Sequence, residues 1–129
     1  MNIPAELKYS RDHEWVKIEG NHATIGITDY AQSQLGDVVF VEVPEVDTEI
    51  TVGTGFSVVE SVKAVSDIYA PVGGKIVEVN DALTDAPEIM NEDPYGEGWL
   101  AVVELTDPAD LDDLLSSTEY EKFITEEGN

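Results

Sequence analysis

The sequence predicts a mainly β fold, a sandwich or barrel of many short strands with short helices between them and a C-terminal helical segment. Three observations predict it. Runs rich in valine and isoleucine recur along the chain, and several alternate apolar with polar residues, the period of a half-buried strand. Glycine, proline and asparagine punctuate the runs, as at Gly20-Asn21, Pro44 and Gly73-Gly74, where short strands must turn. A length of 129 residues suits one compact unit, residues 1–129, with the strand core over about 22–105 and the helical tail over 107–126.

Each element follows from local chemistry. His13 to Glu19 and His22 to Ile27 form a strand pair about the Gly20-Asn21 turn, with Ala23, Ile25 and Ile27 on one face. Thr28 or Asp29 caps a short helix over Asp29 to Leu35, with Ala31 and Leu35 inward and Gly36 ending it. Asp37 to Val43 is β-branched and aromatic enough for a buried strand, stopped by Pro44-Glu45. Ile50 to Gly55 is a further extended piece. Phe56 to Glu60 enters a turn, Ile68 to Pro71 leaves it, and Val72-Gly73-Gly74 turns the chain into Lys75 to Val79.

Asp85 and Glu88 predict a capping box around Pro87 and a short helix through Met90. Asn91 to Gly98 reads as a loop and Trp99 to Leu105 as the last strand. Asp107, with Pro108 next and Asp110 three on, starts a helix whose Leu111, Leu114 and Leu115 face inward. Thr118, with Glu121 three later, caps a final helix carrying Tyr120, Phe123 and Ile124 on one face. The C-terminal segment is therefore expected to pack on the strands.

Composition excludes several functions. The chain has 28 acidic and 6 basic residues, a formal charge of −22 and a pI near 4.1, so its surface repels phosphate backbones and anionic membranes. Neither nucleic acid nor a membrane is an expected partner. Basic protein surfaces or positively lined clefts fit this charge, and so does a charge that serves solubility alone. No apolar run approaches the roughly 18 residues of a bilayer span, and Met1 to Glu6 has neither a basic region nor an apolar core. The expected location is cytoplasmic and bacterial-like, or a processed mitochondrial form. Cysteine is absent, so thiol chemistry has to come from outside the chain. His13 and His22 accompany no nucleophile motif and no metal-ligand spacing. Nothing outside the Lys63 region assembles a catalytic set.

Lys63 is the exception in this acidic sequence. It sits in Glu60-Ser61-Val62-Lys63-Ala64-Val65-Ser66-Asp67, between two extended runs. Valine at Val62 and Val65 is unusual at an exposed turn, and β-branched residues stiffen the backbone, so the pattern suits a firm tip that presents one side chain. Two readings stand side by side: an ordinary solvated turn lysine, or a site of attachment.

Glu60 to Pro71, followed by Gly74-Lys75-Ile76-Val77-Glu78-Val79-Asn80, resembles the lipoyl-attachment region of the H protein of the glycine cleavage system. Leu7-Lys8-Tyr9, His13-Glu14-Trp15-Val16, Ile25-Gly26-Ile27-Thr28, Ala31-Gln32, Leu35-Gly36-Asp37, Pro94-Tyr95-Gly96 and Gly98-Trp99 resemble the same family in order and spacing. The resemblance implies a barrel-sandwich hybrid, a flattened β-barrel of lipoyl-domain type. It implies a non-enzymatic carrier, not a complete enzyme, whose Lys63 holds lipoic acid as an amide, N6-lipoyllysine. The implied partners are glycine decarboxylase (P protein), which loads an aminomethyl group, a tetrahydrofolate-dependent aminomethyltransferase (T protein), which unloads it, and dihydrolipoyl dehydrogenase (L protein), which reoxidises the arm. A lipoate ligase or octanoyl/lipoyl transferase would attach the cofactor.

In that family the loaded arm shelters in a cleft near the residues matching Glu14 and Asp67. Asp12 stands where some relatives have a hydroxyl residue. It either keeps that polar role with added charge or is a solvated loop carboxylate. Glu14 by itself reads as an exposed strand residue, and His13, Trp15 and Trp99 read first as packing residues. The rivals are a biotin carrier, which would place methionine on both sides of the lysine where Val62 and Ala64 stand, a lipoyl domain of another multienzyme complex, and a non-catalytic acidic adaptor.

Overall fold

The computed structural model describes residues 2–127. Among these residues nine strands form two sheets. They are β1 (Lys8–Tyr9), β2 (Glu14–Glu19), β3 (His22–Ile27), β4 (Val38–Glu42), β5 (Glu49–Ile50), β6 (Gly55–Ser61), β7 (Val65–Tyr69), β8 (Gly74–Val79) and β9 (Ala101–Leu105). One sheet has the order β1-β2-β3-β9-β8-β5, the other β4-β6-β7, and every pairing is antiparallel. Among the described residues these sheets stay separate and close no barrel, which corrects the barrel part of the expectation. The helices are α1 (Asp29–Leu35), α2 (Ala82–Asp85), α3 (Ile89–Glu92) and α4 (Ser117–Glu127), with a 3-10 helix at Pro108–Asp113.

The β2–β3 pair forms as its alternation requires, with Glu19 opposite His22 across the turn and Glu14 opposite Ile27. Gly26 is needed there, because the Trp15 indole lies across it and a Cβ would come within 2.6 Å of the ring. The α1 helix also forms as read. Thr28 is the N-cap and accepts from the Ala31 N–H at 3.1 Å, while Gly36 ends the helix at φ 78°, a left-handed conformation suited to glycine.

Several element readings need correction. The Asp37–Val43 run is only half buried, since Val39 and Phe40 are 54% and 47% exposed. A register shift between Val38 and Phe40 turns both outward on an edge strand. The Ile50–Gly55 piece breaks after Ile50 at a turn through Gly53, where φ is 85°. The helix around Pro87 is two short turns, α2 and α3, and neither N-cap residue makes a side-chain cap bond. Proline lacks the N–H and disfavours helical backbone before it, and Ala86 accordingly takes φ −137°. The segment begun by Asp107-Pro108 winds as a 3-10 helix, with Asp107 accepting from the Ala109 N–H at 3.0 Å.

Burial divides into three apolar clusters. Val16, Ile25, Ile76 and Val103 lie in the first and Ile27, Val41, Val59, Ile68 and Met90 in the second. The third docks the C-terminal segment: Tyr9, Trp15, Leu115, Tyr120 and Ile124 are packed together, and Tyr9 pairs with Leu115 through reciprocal backbone bonds of 2.8 and 2.7 Å.

Candidate functional site

Lys63 lies at the centre of the three-residue turn that joins β6 to β7. Small polar contacts build the turn. The Ser61 hydroxyl accepts from the Lys63 and Ala64 N–H groups at 3.2 and 3.1 Å, the Ser61 N–H donates to the Ala64 carbonyl at 2.8 Å, and the Val62 N–H donates to the Asp37 carbonyl at 3.0 Å. The backbone is thus tied on both sides while the lysine side chain is exposed. Among the described residues no ion pair engages its ammonium. Val62 and Val65, each 67% exposed, present apolar surface beside it.

The lysine stem runs along the end of α1. A Cβ on Gly36 would lie 3.0 Å from Lys63 Cε, so the glycine that ends the helix also gives the stem room. Leu35, the residue before it, lines a cavity of about 180 Å³. Ile27, Tyr30 and Ala31 form further walls from the β3 end and α1, and Ile68 comes from β7. Asp12, His13 and Asp67 line the same space. It is an apolar slot with two carboxylates on its wall, which suits an apolar chain that ends in a cation.

Glu14 is placed differently from both carboxylates. It is 2% exposed and lines no part of the slot, yet it adjoins it through the neighbouring residues Asp12 and His13. The Ser10 hydroxyl donates to Glu14 Oε1 at 2.5 Å and accepts from the Glu14 N–H at 3.1 Å. Burial pushes the Glu14 carboxyl up to about 7, and the Asp12 charge pushes the same way. The Ser10 hydroxyl and the Tyr69 backbone N–H pull against that rise. A carboxyl so held is ready to ionise once a cation arrives. The reading of Glu14 as an exposed strand residue is therefore overturned. Its period gives the reason, because Glu14 falls on the face of β2 that buries Val16.

The structure thus gathers Asp12 and Asp67 at one cavity, Glu14 next to it and Lys63 at its Leu35 side. Sequence reasoning did not read His13, Tyr30, Ser66 or Ile68 as lining residues. For Ile68 the signal was present: Ser66 and Ile68 alternate along a strand that leaves the lysine turn. Trp15 does serve packing, with its indole N–H donating to the Pro94 carbonyl at 2.9 Å.

Comparison with known proteins identifies the surroundings of this site. Residues 7–127 match the family model described as Glycine cleavage H-protein. The chain is 60% identical over 126 residues to the glycine cleavage system H protein of Staphylococcus haemolyticus, covering 98% of this chain and 100% of that one. It is 58% identical over 126 residues to the glycine cleavage system H protein of Carboxydothermus hydrogenoformans, covering 98% and 97%. Among solved structures, the crystal structure of a glycine cleavage system H protein from Mycobacterium marinum superposes with a TM-score of 0.86 at 40% identity, covering 98% of this chain and 100% of that one.

Proposed function

The chain belongs to the glycine cleavage H-protein family and works as its non-enzymatic carrier component, and we propose that Lys63 is the residue on which it carries. The single observation that supports Lys63 most is its setting: an exposed amine without an ion pair among the described residues, on a turn fixed by Ser61, next to a slot of matching polarity. The family implies lipoyl as the cofactor, and these residues fit it. The Lys63 amine would be consumed in the amide, the Gly36–Leu35 side of α1 would face the apolar stem, and the carboxylates would face a cationic end. When bound, the lipoyl group supplies a disulfide that takes up the one-carbon fragment of glycine with electrons and yields both to later partners.

The chain's own residues do the rest. The tied turn keeps the anchor fixed, which makes delivery within a docked complex effectively intramolecular. Ile27, Ala31, Leu35 and Ile68 exclude water from the slot, and Asp12 and Asp67 oppose a positive charge there. Glu14, whose carboxyl burial pushes up to about 7, keeps a substantial neutral fraction near neutral pH and is drawn to its carboxylate form when that charge arrives. The partners in this reading are the P, T and L proteins of the system and a lipoate ligase or octanoyl/lipoyl transferase, all in the cytoplasm. The strands and the C-terminal helices act as one carrier unit. Reconstituted glycine–CO2 exchange with the decarboxylase tests the anchor: Lys63→Arg should fold normally and lose exchange, and retained exchange would refute it.

A further inference from the structure

The carboxylates Asp12 and Glu14 flank a residue whose backbone is strained. His13 has φ 71°, in the left-handed region that few residues other than glycine occupy. The angle matters because it fixes the relative directions of the side chains before and after it. Backbone bonds hold part of the bend: the His13 N–H donates to the Ser10 carbonyl at 3.2 Å, and the Thr28 N–H donates to the His13 carbonyl at 3.1 Å.

The side-chain hold comes from the C-terminal helix. Tyr120 Oη lies 2.9 Å from His13 Nδ1 and 2.8 Å from Thr28 Oγ1. A phenol donates one hydrogen bond and accepts others, so it satisfies both partners, in either direction along the chain of three groups. Thr28 is fully buried and is also the N-cap of α1. One hydroxyl therefore ties two walls of the slot, the His13 segment and the helix that carries Tyr30, Ala31 and Leu35. The imidazole packs on Tyr30 at 4.7 Å and Phe123 at 5.9 Å. Tyr120 is buried, stacks on Tyr9 at 4.7 Å, and does not line the slot itself. Its hydroxyl feels the Glu14 charge, which places the two groups within electrostatic reach.

We propose that Tyr120 is a positioning residue of the slot: its hydroxyl, bonded to His13 and Thr28 together, fixes the geometry in which Asp12 and Glu14 receive a cation. The inference rests on the reading of the slot as the arm's shelter. It makes the C-terminal helix part of the site and not only a cover for the core. A purely structural tyrosine would lower stability without acting through Glu14, and this difference can be measured.

The test uses Tyr120→Phe, which keeps the ring and its stack on Tyr9, with Tyr95→Phe as control. Tyr95 also has a bonded hydroxyl, donating to the Asn2 carbonyl at 2.7 Å and accepting from the Asp29 N–H at 3.0 Å. The first readout is the NMR titration of the Glu14 carboxyl in protein without lipoyl. Tyr120→Phe should lower its midpoint by about half a pH unit or more as the pocket loosens to water, and Tyr95→Phe should leave it in place. The second is ammonia release from lipoylated carrier loaded by the decarboxylase, without the transferase. Release should quicken roughly fivefold, the worth of about one hydrogen bond, and Tyr120→Phe should add nothing in an Asp12→Asn/Glu14→Gln background. An unmoved Glu14 titration, equal changes in both tyrosine variants, or equal acceleration in both backgrounds would overturn the proposal. If wild-type carrier releases ammonia as fast as loaded free lipoamide does, the shelter reading fails, while the Glu14 titration still decides whether Tyr120 positions it. Should Tyr120→Phe not fold, His13→Gly, which deletes the same bond and accepts the left-handed backbone, should lower the Glu14 midpoint in the same way.

Discussion

A glutamate buried on an apolar strand face is costly unless something compensates. Glu14 is met by the Ser10 hydroxyl and the Tyr69 N–H, yet burial still dominates and raises its carboxyl to about 7 from 4.5. Because the folded state binds this proton more tightly, the associated stability is fully present below pH 4.5 and is lost as pH rises through about 7. Glu14→Gln should therefore unfold at a pH-independent free energy over that window, apart from other groups. It should exceed wild type at pH 8 by up to about 3 kcal/mol, since each tenfold change in proton affinity is worth about 1.4 kcal/mol. Urea unfolding at pH 5 and pH 8 checks this, and equal pH slopes for both proteins would contradict it. The residue was legible in principle: β2 alternates, and Glu14 shares a face with Val16 and Ile18. What the sequence could not supply was the compensating shell, because Ser10 is near in sequence but Tyr69 arrives from another sheet.

At the scale of elements, two devices matter. The lysine turn is tied by Ser61, whose hydroxyl accepts from two N–H groups of the turn. Ser61→Ala should leave the melting temperature nearly unchanged and slow lipoylation several-fold, measured by intact mass against time; unaltered kinetics would show that the rigid tip is not what the modifying enzyme reads. The second device starts the last helix. The sequence offers overlapping capping patterns, Ser116 with Glu119 and Thr118 with Glu121, and Thr118 with Glu121 was the expected pair. The structure uses Ser116 and Glu119, with the Ser116 N–H donating to Glu119 Oε1 at 2.9 Å and the Glu119 N–H donating to Ser116 Oγ at 3.2 Å. Two valid local motifs were separated only by a tertiary contact, the pairing of Leu115 with Tyr9, which fixes where the chain leaves its extended path. Ser116→Ala should cost about 1 kcal/mol in chemical denaturation, the usual loss of a cap, whereas Thr118→Ala should cost much less.

For the whole molecule, the strands were readable one by one from their period, but their division into a six-stranded and a three-stranded sheet was not. That division depends on distant pairings, such as His22 with Glu104 across β3 and β9, which local pattern does not encode. The same limit hid the slot, whose walls come from α1, β7 and the segment before β2. Charge, by contrast, was fully legible. A net charge of −22 on a chain this small opposes compaction by self-repulsion, and the long-range part is screened as the Debye length falls from about 30 Å at 0.01 M to about 3 Å at 1 M salt. The melting temperature should rise across that range by several degrees, and a flat or falling curve would contradict a destabilising role for the charge. The central claim, that Lys63 is the anchor of the arm, is tested most directly by intact mass after exposure to a lipoylating enzyme. Wild type should gain one lipoyl group, located at Lys63 by peptide mapping, and Lys63→Arg should gain none. No adduct on wild type, or an adduct on Lys63→Arg, would contradict the account.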